Sequence, residues 1–170
     1  MKKLALALIL VALDLCSYSQ TSPSRPRILG IDHVSFYTTA PEGVRKLYAD
    51  LLGLAAATPV EPGGLVRYMI GRQWVGYSSA PDPKATDRMD HVAFTTDNIV
   101  TLRRYLVDKG IKVGQIEGRP DHSLSFLVKD PEGHPVEFVE RGKSEAAPAA
   151  ASAVSRHMIH TGFVVYHRDA

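Results

Sequence analysis

An internal repeat is the strongest constraint on how this chain can fold. The segment DHVSF at Asp32–Phe36 returns as DHVAF at Asp90–Phe94. Each copy opens an alternating run rich in β-branched and aromatic residues, which is typical of a strand. A helical pattern follows each strand, and two or three further strand patterns follow each helix. Self-similarity at a fixed spacing indicates a duplicated structural unit.

The first unit spans residues 30–80. After its opening strand, a helix begins near Pro41 and ends at Gly53. Two strands, LVRYMIG and QWVGYSS, then follow, joined by a tight turn at Gly71–Arg72. The apolar residues of the helix recur at helical spacing, and we expect the cluster of Tyr48, Leu51 and Leu52 to pack in the core.

The second unit spans residues 88–142 and repeats this order. Its helix has Asp97 or Asn98 as the candidate cap and Gly110 as the candidate terminator. The segments IKVGQIE, SLSFLVKD and HPVEFVER are predicted to form three strands, and the last two are separated by a turn at Asp130–His134.

The segments outside the two units have distinct compositions. Residues 1–19 combine two lysines, an apolar run and small residues near Ser19, which is the pattern of a cleaved export signal. Residues 20–29 are predicted to form a flexible lead-in, and residues 143–155 an Ala/Pro linker. Residues 156–170 resemble the opening strand again, with His160 in the histidine position, so we expect them to begin a third module that continues beyond Ala170.

Composition excludes several classes of protein. Hydrophobic residues make up 45% of the chain, charged residues 22%, and the net charge is +2, so no concentrated basic surface for nucleic acid is expected. The apolar run of the signal is too short for a membrane span, which needs about 20 apolar residues. Cys16 is the only cysteine and lies in the signal, so a mature chain would contain no disulfide or thiolate ligand. Leu15 stands where lipoprotein signals place a small residue, which favours cleavage near Ser19 and export over lipid attachment at Cys16.

Three side chains have the pattern of a metal site. His33 and His91 occupy equivalent faces of equivalent strands, because side chains alternate along a strand. Glu137 lies between two apolar residues of the last strand and should project towards the same cleft, where an unpaired carboxylate would be costly. Two imidazoles and one carboxylate form a set that leaves coordination positions open. In the first unit, Gly76 stands where Glu137 stands in the second.

These segments resemble a known family. DHVSFYTTAPEGVRKLYADLLGL, MDHVAFTTDNIVTLRRYLVDKGIKV and SFLVKDPEGHPVEFVE look like the modules of the vicinal oxygen chelate superfamily. That superfamily includes glyoxalase I, fosfomycin-resistance transferases, methylmalonyl-CoA epimerase and extradiol dioxygenases. The resemblance implies an α+β fold in which two paired βαβββ modules form an open, curved, mixed sheet with a central cleft.

The resemblance also implies a ligand set and a chemistry. Ligands in the family come from the first and last strands of each module, which gives His33, His91 and Glu137 here, with Gly76 at the fourth place. A divalent ion such as Fe, Mn, Zn or Ni would hold a small molecule through two adjacent oxygens, in a dioxygenase-like or lyase-like enzyme. Arg67, Arg119 and His122 are candidates for substrate contacts.

Two alternatives stay open at this point. One is a non-catalytic small-molecule binder of the bleomycin-resistance kind, with no metal. The other is a lyase or isomerase of the glyoxalase or epimerase type, although an exported enzyme would lack the cytoplasmic thiol partners that such reactions use. The family pairs its modules either within one chain or between the chains of a homodimer, and the sequence does not distinguish these arrangements.

Overall fold

The computed structural model describes residues 24–57, 64–142 and 153–162. The predicted export signal and most of the predicted linker lie outside these ranges. In the described part of the chain, no helix is both long enough and apolar enough to cross a membrane.

Seven strands form one curved mixed sheet, in the order β2-β3-β1-β4-β7-β6-β5. The first unit supplies three strands and one helix, which begins as an α-helix and continues as a π-helix. The second unit supplies four strands and one helix. In chain order the elements are β1 (Ile28–Thr38), α1 (Pro41–Arg45) continuing as a π-helix (Lys46–Leu51), β2 (Val66–Ile70), β3 (Gln73–Ser79), β4 (Met89–Thr96), α2 (Ile99–Asp108), β5 (Glu117–Gly118), β6 (Leu124–Lys129) and β7 (Pro135–Glu140).

The two units meet through their opening strands, related by pseudo-twofold symmetry. β1 and β4 pair antiparallel, and each pairs in parallel with the last strand of its own unit. In the β1–β4 ladder, Val34 lies opposite Val92, its equivalent in the repeat. His33 and His91 therefore lie one residue to either side of this centre and face the same cleft. The predicted fold class, two paired modules around a central cleft, is confirmed.

Apolar side chains on the convex face form the core of the second unit. Ile99 and Leu102 of α2 pack on Phe126 of β6, and all three are almost fully buried. The start of α2 is held by the predicted cap, because the side chain of Asn98 accepts from the backbone N–H of Thr101 at 2.9 Å. This packing fixes β6 and β7 and therefore directs the alternate residues of β7, Glu137 among them, to the concave face.

Two details differ from the sequence predictions. The first helix continues as a π-helix, shown by the Leu52 N–H bonding to the carbonyl of Leu47 at 3.0 Å. The wider turn rotates the apolar residues out of register, so Leu51 is 69% exposed rather than core. In the second unit, the strand predicted over IKVGQIE reduces to a single bridge at Val113 and the short β5, because few of its backbone groups pair with β6.

The segment 153–162 returns over the first unit. The side-chain amide of Gln73 donates to the carbonyl of Met158 at 2.9 Å and accepts from its N–H at 2.5 Å. The carbonyl of Arg156 approaches Gly71 so closely that a β-carbon there would lie 2.4 Å from it. The segment forms no strand within its described residues, and its role as the start of a third module stays a prediction.

Candidate metal centre

The structure brings together the three residues predicted to bind metal. The Nε2 atoms of His33 and His91 lie 2.8 Å apart. Glu137 Oε2 lies 3.2 Å from the first of these nitrogens and 3.4 Å from the second. Among the described residues, these side chains are the group whose donor atoms could hold an ion.

The donor set fits a divalent ion in both spacing and chemistry. First-row divalent ions bind nitrogen and oxygen at about 2.0–2.2 Å, which places neighbouring donors about 2.8–3.6 Å apart at tetrahedral or octahedral angles. All three observed distances fall in that range. Glu137 Oε2 is buried and has no hydrogen-bond partner of ordinary geometry within the described residues. An acceptor in this position is what a cation would satisfy.

Each histidine is oriented by the aspartate that precedes it. Asp32 Oδ2 accepts from His33 Nδ1 at 2.8 Å, and Asp90 Oδ2 lies 3.2 Å from His91 Nδ1. With a proton held on Nδ1, each ring presents a lone pair at Nε2, which is the tautomer that a metal ligand needs. In that tautomer two lone pairs and a carboxylate oxygen converge on one point, where a cation could be held.

The aspartates reach their histidines because the strands are irregular at both positions. In the β1–β4 ladder, the pairing skips Asp32 on one strand and Asp90 on the other, which marks two symmetrical bulges. A bulge leaves one residue unpaired and redirects its side chain. Strict alternation would direct the carboxylates of Asp32 and Asp90 to the face opposite the histidines. The bulges instead turn each carboxylate towards the histidine that follows it.

The charges at the centre are strongly coupled. Burial would raise the pKa of Glu137, but the nearby imidazoles of His33 and His91 and the charge of Arg119 outweigh it and hold that pKa well below its usual range. Burial would lower the pKa of His91, but its bonds to Asp90 and Glu137 raise the pKa to about 9. In the absence of metal, a proton on His91 therefore supplies the compensating charge near neutral pH.

An indole fills the space beside Gly76, the residue of the first unit that corresponds to Glu137. Ser35 on β1 pairs with Gly76, as its equivalent Ala93 pairs with Glu137, so Gly76 occupies in the first unit the position that Glu137 has in the second. The Trp74 ring lies over Gly76 and would stand 2.5 Å from a β-carbon there. The same ring stacks on His33, with centroids 3.7 Å apart and planes 10° from parallel.

The predicted substrate contacts separate into two groups. Arg119 donates through Nη2 to Oε1 of Glu137, and the Arg67 guanidinium lies 4.3 Å from the centroid of the Trp74 ring. His122 is exposed, has a positive φ of 62°, and is not among the residues that line the cavity next to Trp74 and Arg119. A substrate role for His122 stays a prediction.

Sequence reasoning missed the residues that support the ligands. The repeated Asp-His dipeptide carried a signal for Asp32 and Asp90, because an acid precedes the histidine in both copies. Trp74 is the single tryptophan of the chain and lies two residues before Gly76, but nothing in that spacing indicates a stack on His33. Arg141 donates to Asp32 Oδ1 at 2.5 Å, across a separation of 109 residues that no local pattern encodes.

Several solved structures share this fold. Methylmalonyl-CoA epimerase from Mycobacterium tuberculosis superposes with a TM-score of 0.55 at 16% identity, covering 68% of this chain and 89% of that one. A variant of the Streptomyces coelicolor epimerase, bound to 2-nitronate-propionyl-CoA, has a TM-score of 0.52 at 15% identity and covers 71% and 100%. Homoprotocatechuate 2,3-dioxygenase from Brevibacterium fuscum, bound to 3,4-dihydroxyphenylacetate, has a TM-score of 0.56 at 18% identity and covers 71% and 39%.

Sequence comparison gives the family directly. The sequence has no significant match among curated proteins. The sequence model of the Glyoxalase/Bleomycin resistance protein/Dioxygenase superfamily matches residues 30–138, which is more than half of the chain and includes both histidines and the glutamate. The chain therefore belongs to the glyoxalase/bleomycin resistance protein/dioxygenase superfamily.

Proposed function

We propose that this protein is a metal-dependent enzyme acting on a small molecule that presents two adjacent oxygens. The convergence of His33 Nε2, His91 Nε2 and Glu137 Oε2 within 3.4 Å of one another carries the proposal. A divalent ion held by these atoms would act as a Lewis acid that stabilises negative charge on the substrate oxygens. The 3,4-dihydroxyphenylacetate bound by the dioxygenase relative has two such oxygens, which supports this substrate class.

The protein's own residues have separable roles in this proposal. Asp32 and Asp90 fix the tautomers of the two histidines, and Arg119 fixes one oxygen of Glu137 so that the other faces the ring nitrogens. Trp74 closes the fourth ligand position and shields His33, which is fully buried. His91 is the more exposed of the two histidines, with 16% of its side chain accessible, whereas His33 is fully buried.

Within this proposal, the number of protein ligands favours dioxygenase-like or lyase-like chemistry. Three protein ligands leave more open positions for substrate than four, and the resemblance assigns four to glyoxalase I and the epimerase. The predicted export signal favours the same choice, because an exported enzyme has no access to cytoplasmic thiol co-substrates. Export itself rests on residues 1–19 alone and is proposed on that basis.

The alternative is a non-catalytic binder of the bleomycin-resistance kind. One observation favours it: Arg119 and a proton on His91 already compensate the charge of Glu137 without an ion. In that case the cleft would retain a small ligand with no metal, and the triad would serve as a buried polar network.

Metal analysis of the purified protein decides between these functions. We expect about one divalent ion per chain, and we expect His91→Ala and Glu137→Gln to lose it because each removes one of three donors. His160→Ala is the matched control, since it removes an exposed histidine outside the triad. A folded protein that binds no divalent ion under chelator-buffered titration would refute the enzyme proposal and leave the binder.

A further inference from the structure

A cavity beside the metal centre has the composition of an organic-anion site. Its volume is about 170 Å³, and it opens on the concave face between the two units. We infer that this cavity binds a small organic acid, in which one carboxylate is attached to a compact apolar body. The inference deepens the proposed function and rests on it in one respect: the acid would be part of the substrate held beside the metal.

Positive charge dominates the wall of the cavity. Two carboxylates, those of Asp32 and Asp121, face four guanidinium groups, which belong to Arg67, Arg72, Arg119 and Arg141. Glu137 lies behind Arg119. Even with its carboxylate included, the four arginines outnumber the three acidic groups. A partly enclosed site with excess cationic charge attracts an anion more strongly than exposed arginines would, because solvent screens it less.

The carboxylate of Asp32, the acidic group of the cavity that lies next to His33, already accepts several hydrogen bonds. Asp32 Oδ2 accepts from His33, and Oδ1 accepts from Thr95 at 3.1 Å and from Arg141 at 2.5 Å. Both oxygens of Asp32 are therefore already hydrogen-bonded within the protein. Planar guanidinium groups present several N–H donors in a geometry that matches a carboxylate, so the arginines can bind an added acid while keeping these bonds.

Part of the wall is apolar, which favours an organic acid over an inorganic anion. Met69, Trp74 and Val139 line the cavity together with the charged groups. An engineered cavity of about 150 Å³ is known to hold benzene, so this volume suits a six-membered ring or a body of similar size. Inorganic phosphate would leave these apolar surfaces without a partner.

The cavity shares its walls with the metal centre. Asp32 bonds to His33, Arg119 bonds to Glu137, and Trp74 stacks on His33. A molecule in the cavity would therefore lie one side chain away from the ligands. This proximity makes the cavity a place for the anionic end of a substrate whose other end extends past Asp32, Trp74 and Arg119 towards the centre.

Titration of the full chain with benzoate tests the inference. The protein is first stripped of metal with EDTA, and binding is followed by calorimetry and by the fluorescence of Trp74, the single tryptophan. We expect benzoate to bind, and its neutral isostere benzamide to bind about tenfold more weakly or worse, because charge-assisted hydrogen bonds are lost. Inorganic phosphate should bind more weakly than benzoate.

Two variants and a control locate the site. Arg67→Gln should weaken benzoate binding about tenfold or more, and Arg72→Gln should weaken it by a smaller factor, since that side chain is exposed at the turn. Arg104→Gln removes an equal charge from the exposed face of α2 and should leave binding unchanged. If Arg67→Gln fails to fold, the exposed Arg72 position still gives the answer.

The outcomes separate this inference from the proposed function. Equal binding of benzoate and benzamide, tighter binding of phosphate, or no difference between the two cavity variants and Arg104→Gln would overturn the organic-acid site. Because the titration uses metal-free protein, it can succeed when metal binding fails. It can also fail when the protein binds one ion per chain.

Discussion

Adding one methyl group at Gly76 tests whether Trp74 is held rigidly over that residue. The new β-carbon would lie 2.5 Å from Trp74 Cζ3 and 3.0 Å from Leu65 Cδ1. The leucine terminus can rotate away, but the indole is buried and stacked on His33, so it must shift by nearly 1 Å to reach an ordinary contact. Overpacking of this kind costs about 1–3 kcal/mol, and we expect Gly76→Ala to lower the free energy of unfolding by about 2 kcal/mol.

A double-mutant cycle tests whether the Trp74 indole causes the loss of stability expected for Gly76→Ala. Trp74→Ala alone should cost about 3–5 kcal/mol, because it removes a large buried side chain. In its absence the methyl group at position 76 has room, so the double variant should be no less stable than Trp74→Ala. The coupling free energy should therefore be about 2 kcal/mol, measured by urea unfolding followed by circular dichroism.

Gly43→Ala provides the matched control. A β-carbon at Gly43 would meet only Ala40 Cβ, at 3.9 Å, and the residue lies in the exposed first helix. This change should stabilise the protein by about 0.5–1 kcal/mol, since alanine is a better helix former than glycine. If the losses at positions 74 and 76 add within about 0.5 kcal/mol, the two residues do not compete for the same space and the reasoning is refuted.

Three further predictions concern the centre itself. Asp32→Asn should weaken metal binding about 10- to 100-fold in chelator competition, because it removes the partner that orients His33; unchanged affinity would contradict that role. The pKa of His91 is raised to about 9 in the folded state, so the stabilisation it brings is complete below about pH 6.5 and is lost as the pH rises through 9. Unfolding of metal-free protein between pH 7 and 10 should show this decline, and His91→Gln should flatten it. Binding of Ni(II) should quench Trp74 fluorescence and EDTA should restore it, whereas an unresponsive signal would place the ion away from His33.

Much of the architecture could be predicted from the repeat. Two copies of one pattern, 58 residues apart, indicated two similar units and placed His33 and His91 on equivalent faces. Alternation along β7 placed Glu137 on the cleft side, and the match of β3 with β7 placed Gly76 opposite it in the other unit. These inferences succeeded because strand alternation is a local property with a period of two residues.

Predictions failed where the backbone departs from regular geometry. The π-helix moved Leu51 to the surface, and the segment after α2 formed only a bridge and a two-residue strand. The bulges at Asp32 and Asp90 reversed the face that alternation assigns to those carboxylates. Each departure depends on how an element packs against its neighbours, which a local pattern does not record.

The sequence by itself determined the two similar units, the strand faces and which three side chains converge in the cleft, because each follows from periodicity within a short segment. Only the tertiary structure decided what surrounds those side chains: the indole of Trp74 over Gly76, Arg141 on Asp32, and the arginine-lined cavity. These contacts join residues far apart in the chain. They exist because the curved sheet brings the ends of long side chains into one cleft, and periodicity specifies the direction of a side chain but not what it meets there.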